Sequence, residues 1–365
     1  VAPAPAPITP QSHSALPLWI GGAVALIVAL SIAYWALFSS SAVEQAPKKI
    51  GIPYFRQGVS AMVTLKEELA ALGHTDVTYV EQEVSPSSPT AMQELAVVIR
   101  KMIQEDGVNM IWSDHEHQAK VALEVTKELG REDIPIVYII RFHDPIEYGL
   151  AASFASSGNN ATGVAADLSD SVQRTATFFK EIDSSVKKIG IFGAGFQVPT
   201  VANRYFLEWK KQAAQFGFEV IEYSTSLPPP QAEAEFHRIA ATIKKGDIDA
   251  IVHIPGHFFE TQEYAEYDLA KRLQVPHAVP YEDLIGGGQF TYATNFEAAG
   301  RQSAHIVDKI LKGMSPSEIP IEYGEKKLLV LNQYRATESG IEFPESMRYL
   351  ADEVIETPDV EAGSN

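Results

Sequence analysis

No cysteine occurs among the 365 residues. That absence excludes disulfides, thiolate zinc sites, cysteine nucleophiles and a lipid-modified cysteine anchor. Basic residues are in deficit as well. Against 47 Asp and Glu stand 29 Lys and Arg, a formal net charge of -18 at pH 7. No run of Lys and Arg is longer than a pair. Phosphate binding needs a clustered basic face, so no nucleic-acid partner is expected. Catalytic signatures are missing too: there is no GxSxG elbow and no paired acidic motif at catalytic spacing. The chain is therefore not expected to be an enzyme. "GAG" at 193–195 lacks the third glycine of a dinucleotide fingerprint, and "GGG" at 286–288 reads as a flexible crossover. No cofactor is expected.

What is present begins with one long apolar run, "LWIGGAVALIVALSIAYWALF" at 18–38. It carries no charge and matches the roughly 20 residues a bilayer-spanning helix requires. Trp19 lies at one end and Tyr34 and Trp35 at the other, where aromatic belts sit. A signal peptide has a shorter apolar run behind a basic start, although Ser40-Ser41-Ala42 would pass as a cleavage site. The expectation is a retained single-pass anchor at 18–38, with an Ala/Pro-rich tether at 1–17 and a linker at 39–47. Lys48 and Lys49, just after the run, argue by charge for a cytoplasmic domain.

From Lys48 onward, strand and helix patterns alternate. "KKIGIPYF", a helical face at Met62, Leu65, Leu69 and Leu72, "DVTYVEQEV", "TAMQELAVVIRKMIQED", "VNMIWS", "EHQAKVALEVTKELG" and "IPIVYII" follow in that order. Such alternation is the signature of a parallel sheet covered by helices on both faces. The second half repeats it. "KKIGI" recurs at 187–191, and the helix after it presents Ala202, Phe206, Trp209, Ala213 and Phe216 on one face. "MIWSDHEHQ" and "AIVHIPGHF" correspond at nearly the same offset downstream. The chain is expected to fold as two similar Rossmann-like α/β lobes. The boundaries expected are 48–163 with 296–320 for lobe 1, 164–295 with 321–356 for lobe 2, and a tail at 357–365.

Ligands of open α/β sheets bind beyond the carboxyl ends of the strands, and clefts between lobes are favoured sites. The candidate ligand-binding residues there are Arg56 and Gln57, then Ser113 and Asp114, then His143 and Asp144, with Arg141 beside them. In the second lobe they are Gln197, His257 and Tyr281. For each the alternative is a solvated loop or a helix cap. "DHEHQ" at 114–118, with His253 and His257, has the side chains of a zinc site. Glu116 and His117 also read as a helix start, where acidic residues are ordinary, and no metal is expected.

"HDPIEYGLAASFASSGNNATGV" at 143–164 resembles the "DP...GLV.S...PGGN.TG" stretch of the ABC-transporter substrate-binding family that includes tryptophan- and tyrosine-binding proteins. "YATNFEAAGRQSAHIVDKILKGMSPSEIPIE" and "LLVLNQYRATESGIEFPESMRYLADEVIE" are similar to that family's closing segments, so the resemblance covers about 48–356. It implies a type I periplasmic-binding-protein fold, two lobes joined by three crossover strands and closing about a hinge. It further implies capture of a small molecule, delivery to an ABC permease, and a domain held outside the cytoplasm. Asp144 and Pro145 match the "DP", and Asn160, Thr162 and Gly163 match "N.TG". Asn295 stands where amino-acid-binding members carry an acid for the ligand's ammonium, and Ser113-Asp114 stands where they show Thr-Pro. An amide cannot supply a charge-assisted bond of that strength, so an aromatic amino acid is not the expected ligand. The alternative function is a non-transport accessory or sensory subunit docked on a membrane complex.

Overall fold

The computed structural model describes residues 48–55, 59–85, 90–194, 199–254, 265–279 and 288–357. The anchor expected at 18–38, its tether and its linker lie outside the described residues, as does the tail from 358. Among the described residues no helix is long and apolar enough to cross a membrane.

The first lobe is built on β1 (Lys49–Tyr54), β2 (Thr78–Glu83), β3 (Met110–Ser113), β4 (Ile136–Ile140), β5 (Ala161–Ala165) and β11 (Glu322–Tyr323), all parallel, in the order β11-β5-β4-β3-β1-β2. Successive side chains of a strand face opposite sides, and β4 shows this plainly. Val137 and Ile139 enter one apolar layer with Leu65, Leu69 and Ile306. Ile136, Tyr138 and Ile140 enter the other with Ile99, Ala122 and Val125. Helices α1 (Val59–Ala71) and α8 (Phe296–Leu311) cover the first face; α2 (Ala91–Gln104) and α3 (Glu116–Glu128) cover the second. At the α1–α8 contact a Cβ on Gly300 would lie 2.3 Å from the Ala61 carbonyl oxygen, so only glycine lets the helices approach this closely.

The second lobe is built on β6 (Lys188–Ala194), β7 (Glu219–Thr225), β8 (Ala250–His253), β9 (His277–Ala278), β10 (Phe290–Thr294), β12 (Lys327–Asn332) and β13 (Glu353–Ile355). Their order is β13-β12-β10-β9-β8-β6-β7, and β12 runs antiparallel to β10, a departure from the all-parallel reading. Helices α4 (Leu168–Ile182) and α5 (Pro199–Phe216) cover one face; α6 (Pro229–Thr242) and α7 (Ala265–Leu273) cover the other. Two short helices, α9 (Gln333–Glu338) and α10 (Glu345–Leu350), lie between β12 and β13. Ala202, Phe206, Trp209 and Ala213 are buried as their spacing demands, with Phe216 packed at the edge.

The repeated pentapeptide does the same work in both lobes. Ile50 and Ile52 of β1, and Ile189 and Ile191 of β6, face the layer carrying the next helix. The glycine between them faces the opposite layer: a Cβ on Gly51 would meet Met102 and Val108, and one on Gly190 would meet Ile248 and Tyr223. The Lys49 N–H donates to Asn109 Oδ1 at 3.0 Å, and the Lys188 N–H donates to Asp249 Oδ2 at 2.9 Å. Each lysine also donates through Nζ to the loop before the third strand, Lys49 to the Asp106 carbonyl and Lys188 to the Gly246 carbonyl. The lysine pairs are therefore strand anchors.

Two expected boundaries move. β5 pairs with β4 through Ala165, and β11 pairs with β5 at Val164 and Ala165, so 164–165 and 322–323 belong to the first sheet. The chain crosses between lobes at 166–167, at 295 and at 324–326. These crossings bond to one another: the Gly324 N–H donates to the Ala165 carbonyl, and the Asn295 N–H to the Lys326 carbonyl.

The "N.TG" residues prove to be ties of the first sheet. Asn160 Nδ2 donates to the Ile134 carbonyl at 2.6 Å, and Thr162 Oγ1 to the Ile319 carbonyl at 2.9 Å. A Cβ on Gly163 would lie 2.0 Å from the Tyr138 carbonyl oxygen on β4. Gly163→Ala must therefore spread two central strands, and overpacking of this kind costs about 1–3 kcal/mol or more. The urea midpoint of the variant is expected to fall accordingly; an unchanged midpoint would show that β4 and β5 have slack the structure does not display.

Candidate functional site

The site is assembled from the bottom of the lobe-1 cleft wall upward, where β3 and β4 end. Ser113 closes β3 and is fully buried, as are Asp114 and Glu116 behind it. His115 caps α3, its Nδ1 accepting from the His117 N–H at 3.3 Å. Glu116 is the first residue of that helix, as its composition suggests, but its carboxylate points back into the protein. Oε2 accepts from the Arg141 N–H at 2.9 Å, and Oε1 accepts from the Phe142 N–H at 3.1 Å and from His143 Nδ1 at 2.7 Å. One carboxylate thus fixes the whole turn after β4. Burial pushes its pKa up, and the imidazoles of His115, His143 and His117 together outweigh that, leaving the group below the ordinary carboxylate range.

His115 behaves oppositely. Burial drives its pKa from 6.5 to about 3, with Glu116 opposing, so it stays neutral at physiological pH. Its 3.4 Å approach to Glu116 is then no ion pair, because Nδ1 already accepts from His117. The rings of His115 and His117 stack at 4.9 Å, and His143 lies 4.1 Å from the Tyr148 ring. Tyr148 closes the array through a hydrogen bond to His117 Nδ1.

Arg141 lies across the mouth of this wall, 5 % exposed. Its Nε donates to the Asp114 carbonyl at 3.0 Å, its Nη2 to Asp114 Oδ2 at 3.4 Å, and its guanidinium sits 4.0 Å over the Phe296 ring. Burial raises the Asp114 pKa, with Arg141 opposing. Neither Asp114 Oδ1 nor Ser113 Oγ has a hydrogen-bond partner.

The second lobe repeats the theme of a buried glutamate in the helix after its third strand. Glu266, in the first turn of α7, holds His253 Nδ1 at 3.0 Å. His277 on β9 is fully buried with neither ring nitrogen bonded, and burial takes its pKa to about 3.

Between the lobes lies a cavity of about 90 Å³. Arg141, Phe142 and Phe296 of the first lobe form one side; Tyr205, Trp209 and Tyr292 form the aromatic part of the other. A wider space of about 520 Å³ opens nearby, between His143, Asp144 and Tyr148 on one side and Asn203, Arg204 and Lys211 on the other. Arg204 Nη1 spans the lobes there to the Phe142 carbonyl at 2.5 Å.

Of the candidates read from sequence, Asp114 and His143 are brought together through Arg141 and Glu116. Asp144 lies on the rim, where Oδ1 accepts from the N–H groups of Ile146 and Glu147. The Asn295 carboxamide caps α8, accepting from the Ala298 N–H at 2.9 Å. Arg56, Gln57, Gln197, His257 and Tyr281 lie outside the described residues. No group of three or more His, Asp or Glu suited to a metal occurs among the described residues. Sequence reasoning missed Glu116 as the organiser of the site, and Trp209 and Tyr205 as cavity walls. Trp209 was legible only as a buried helix position, and a residue on that face serves core and cavity alike.

A model of the ABC transporter substrate binding protein family matches residues 57–355. Among solved structures, a Streptococcus pneumonia ABC domain in complex with L-Trp is 19 % identical, with a TM-score of 0.67, over 85 % of this chain and all (100 %) of that one. A conserved domain protein from Vibrio cholerae is 20 % identical, also with a TM-score of 0.67, over the same 85 % and 100 %. A ligand-free, open substrate-binding protein with adhesive properties from Clostridium difficile is 19 % identical, with a TM-score of 0.65, over 82 % of this chain and 96 % of its own. At such identities the likeness is one of fold. None of the curated proteins compared with the chain matches it.

Proposed function

Because this chain belongs to the ABC transporter substrate-binding family, a family of binding proteins and not of enzymes, we propose that its two lobes close around a small molecule in the cleft and present it to a membrane permease. The observation that carries this reading is the interlobe cavity itself, whose walls come from both lobes and which reaches the first crossing at Ala166. Closing the lobes changes the shape of that cavity, which is what hinge capture requires. The apolar run at 18–38 supports a single-pass anchor that keeps the domain at the outer face of the membrane. Long domains translocate largely regardless of flanking charge, and Lys48 and Lys49 are bonded within the fold.

A second reading, the accessory or sensory subunit, draws on one observation: Glu116 and Asn295 are committed to the protein's own backbone. Stable co-purification with a larger membrane assembly would favour it. Native mass spectrometry of the full-length protein from its own membrane, with small-angle scattering before and after removal of bound solute, tests the first. A retained small molecule and a contraction on rebinding are expected. A cleft that is empty and never closes would sink solute binding, and a mature N-terminus at Val43 would sink the anchor.

A further inference from the structure

Away from the three crossings, a hydrogen bond spans the cleft itself. Arg204 Nη1, on α5 of the second lobe, donates to the Phe142 carbonyl of the first at 2.5 Å. Each end is fixed to its own lobe. Phe142 belongs to the turn after β4, and its N–H donates to Glu116 Oε1 at 3.1 Å. The carbonyl therefore cannot swing without disturbing a fully buried carboxylate. On the other side α5 is pinned by Phe206, Trp209 and Ala213, which are buried in the second lobe.

Arg204, Glu208 and Lys211 recur at helical spacing on one face of α5, and all three line the wider space between the lobes. They are used differently. Glu208 accepts from Ser169 Oγ at 2.8 Å, from Gln212 Nε2 at 2.7 Å and from Lys211 Nζ at 3.2 Å, all within the second lobe. Lys211 thus has its counter-charge in its own lobe, whereas Arg204 reaches across. A guanidinium donating to a carbonyl makes a charge-assisted bond. Such a bond is worth a factor of roughly ten or more in an equilibrium. Parting the lobes breaks it, because one lobe holds the carbonyl and the other holds α5.

We infer that Arg204 is a positioning residue for solute capture. It favours the closed arrangement, and since release requires the lobes to part, it sets how long a captured molecule is held. It acts through the lobes and not by contact with the solute. This rests on the cleft reading above and names the side chain that governs its closure.

The lack of cysteine makes the test direct. Nitroxide labels at Ile146→Cys and Gln215→Cys, exposed positions on opposite lobes, report lobe separation in the full-length chain by double electron–electron resonance, with no solute added. The short distance is that of the tied structure. Arg204→Gln is expected to lower the ratio of short to long distances about tenfold. Arg204→Lys keeps one charged donor and should restore part of that ratio. Lys211→Gln removes an equal charge from the same helix face two turns along, and should leave the distribution unchanged. A parent that is already fully open overturns the inference. So does Arg204→Gln with the parent's distribution, or Lys211→Gln opening the lobes as far as Arg204→Gln. If two populations are seen and both ignore Arg204, the tie is wrong and the cleft reading stands. One unvarying distance in the parent and every variant, with no solute retained in native mass spectrometry, overturns both.

Discussion

Glu116→Ala is expected to destabilise the protein by about 3–5 kcal/mol, the range for removing one partner of a buried ionic cluster. The carboxylate is fully buried and accepts from two backbone N–H groups and an imidazole. Alanine leaves all three donors without an acceptor in a site too enclosed for bulk water to replace them, and each buried orphan adds its own desolvation cost. Glu116→Gln keeps the size and one oxygen, so its loss should be smaller. Urea denaturation at pH 7.5 reads both, the linear slope checking that the unfolded state is unchanged. The turn after β4 also carries Arg141 and His143, so ligand affinity should fall in Glu116→Gln even where the fold holds. A Glu116→Ala midpoint within 1 kcal/mol of the parent would mean that the turn is held by other contacts.

The second large effect concerns pH. His277 is buried without a hydrogen bond, and its pKa falls from 6.5 to about 3. Below pH 6.5 the unfolded chain takes up a proton that the folded chain refuses. The stability contributed by the neutral form is thus complete above pH 6.5 and is lost progressively as pH falls towards 3. At pH 5 the loss amounts to about 2 kcal/mol from this residue, and His115, similarly depressed, adds to it. His277→Leu removes the group together with its unmet nitrogens. The variant should match or exceed the parent at pH 8 and gain on it steadily as the pH is lowered to 5. Parallel pH profiles of the two proteins would show that His277 is not held neutral. Glu266, His253 and the β9 backbone surround the residue, and none is altered by the substitution.

Much of the architecture was legible because it follows from periodicity. A five-residue repeat that brings its downstream helices with it can only be two similar lobes, and the strand-end loops had to be where a site would form. The shifts of the boundaries expected at 163 and 320 have a physical origin: β5 and β11 are ended by pairing with neighbours distant in sequence, and no local signal marks such an end. Glu116 is the same lesson at the site. A glutamate in a first helical turn is ordinary on its own, and its importance comes from backbone donors twenty-five residues away. Asn295 shows the converse. Its place beside a ligand position was inferred by resemblance, while its local sequence, a polar residue before an amphipathic helix, described the cap it forms.

The route of the chain through the lobes has a consequence for how the protein is made. The first lobe lacks one of its covering helices until α8 arrives, and α8 follows every strand of the second lobe except β12 and β13. A ribosome therefore releases β1 to β5 with Ile50, Ile52 and Val137 of the α8-side layer still short of their cover. The second lobe has its central strands in hand before α8 emerges. Such long-range closure is slow and leaves apolar surface open while translation continues. The lobe that is synthesised first should be the last to acquire protection from hydrogen exchange, and pulse labelling of nascent or refolding chains would show α1 protected only after β10.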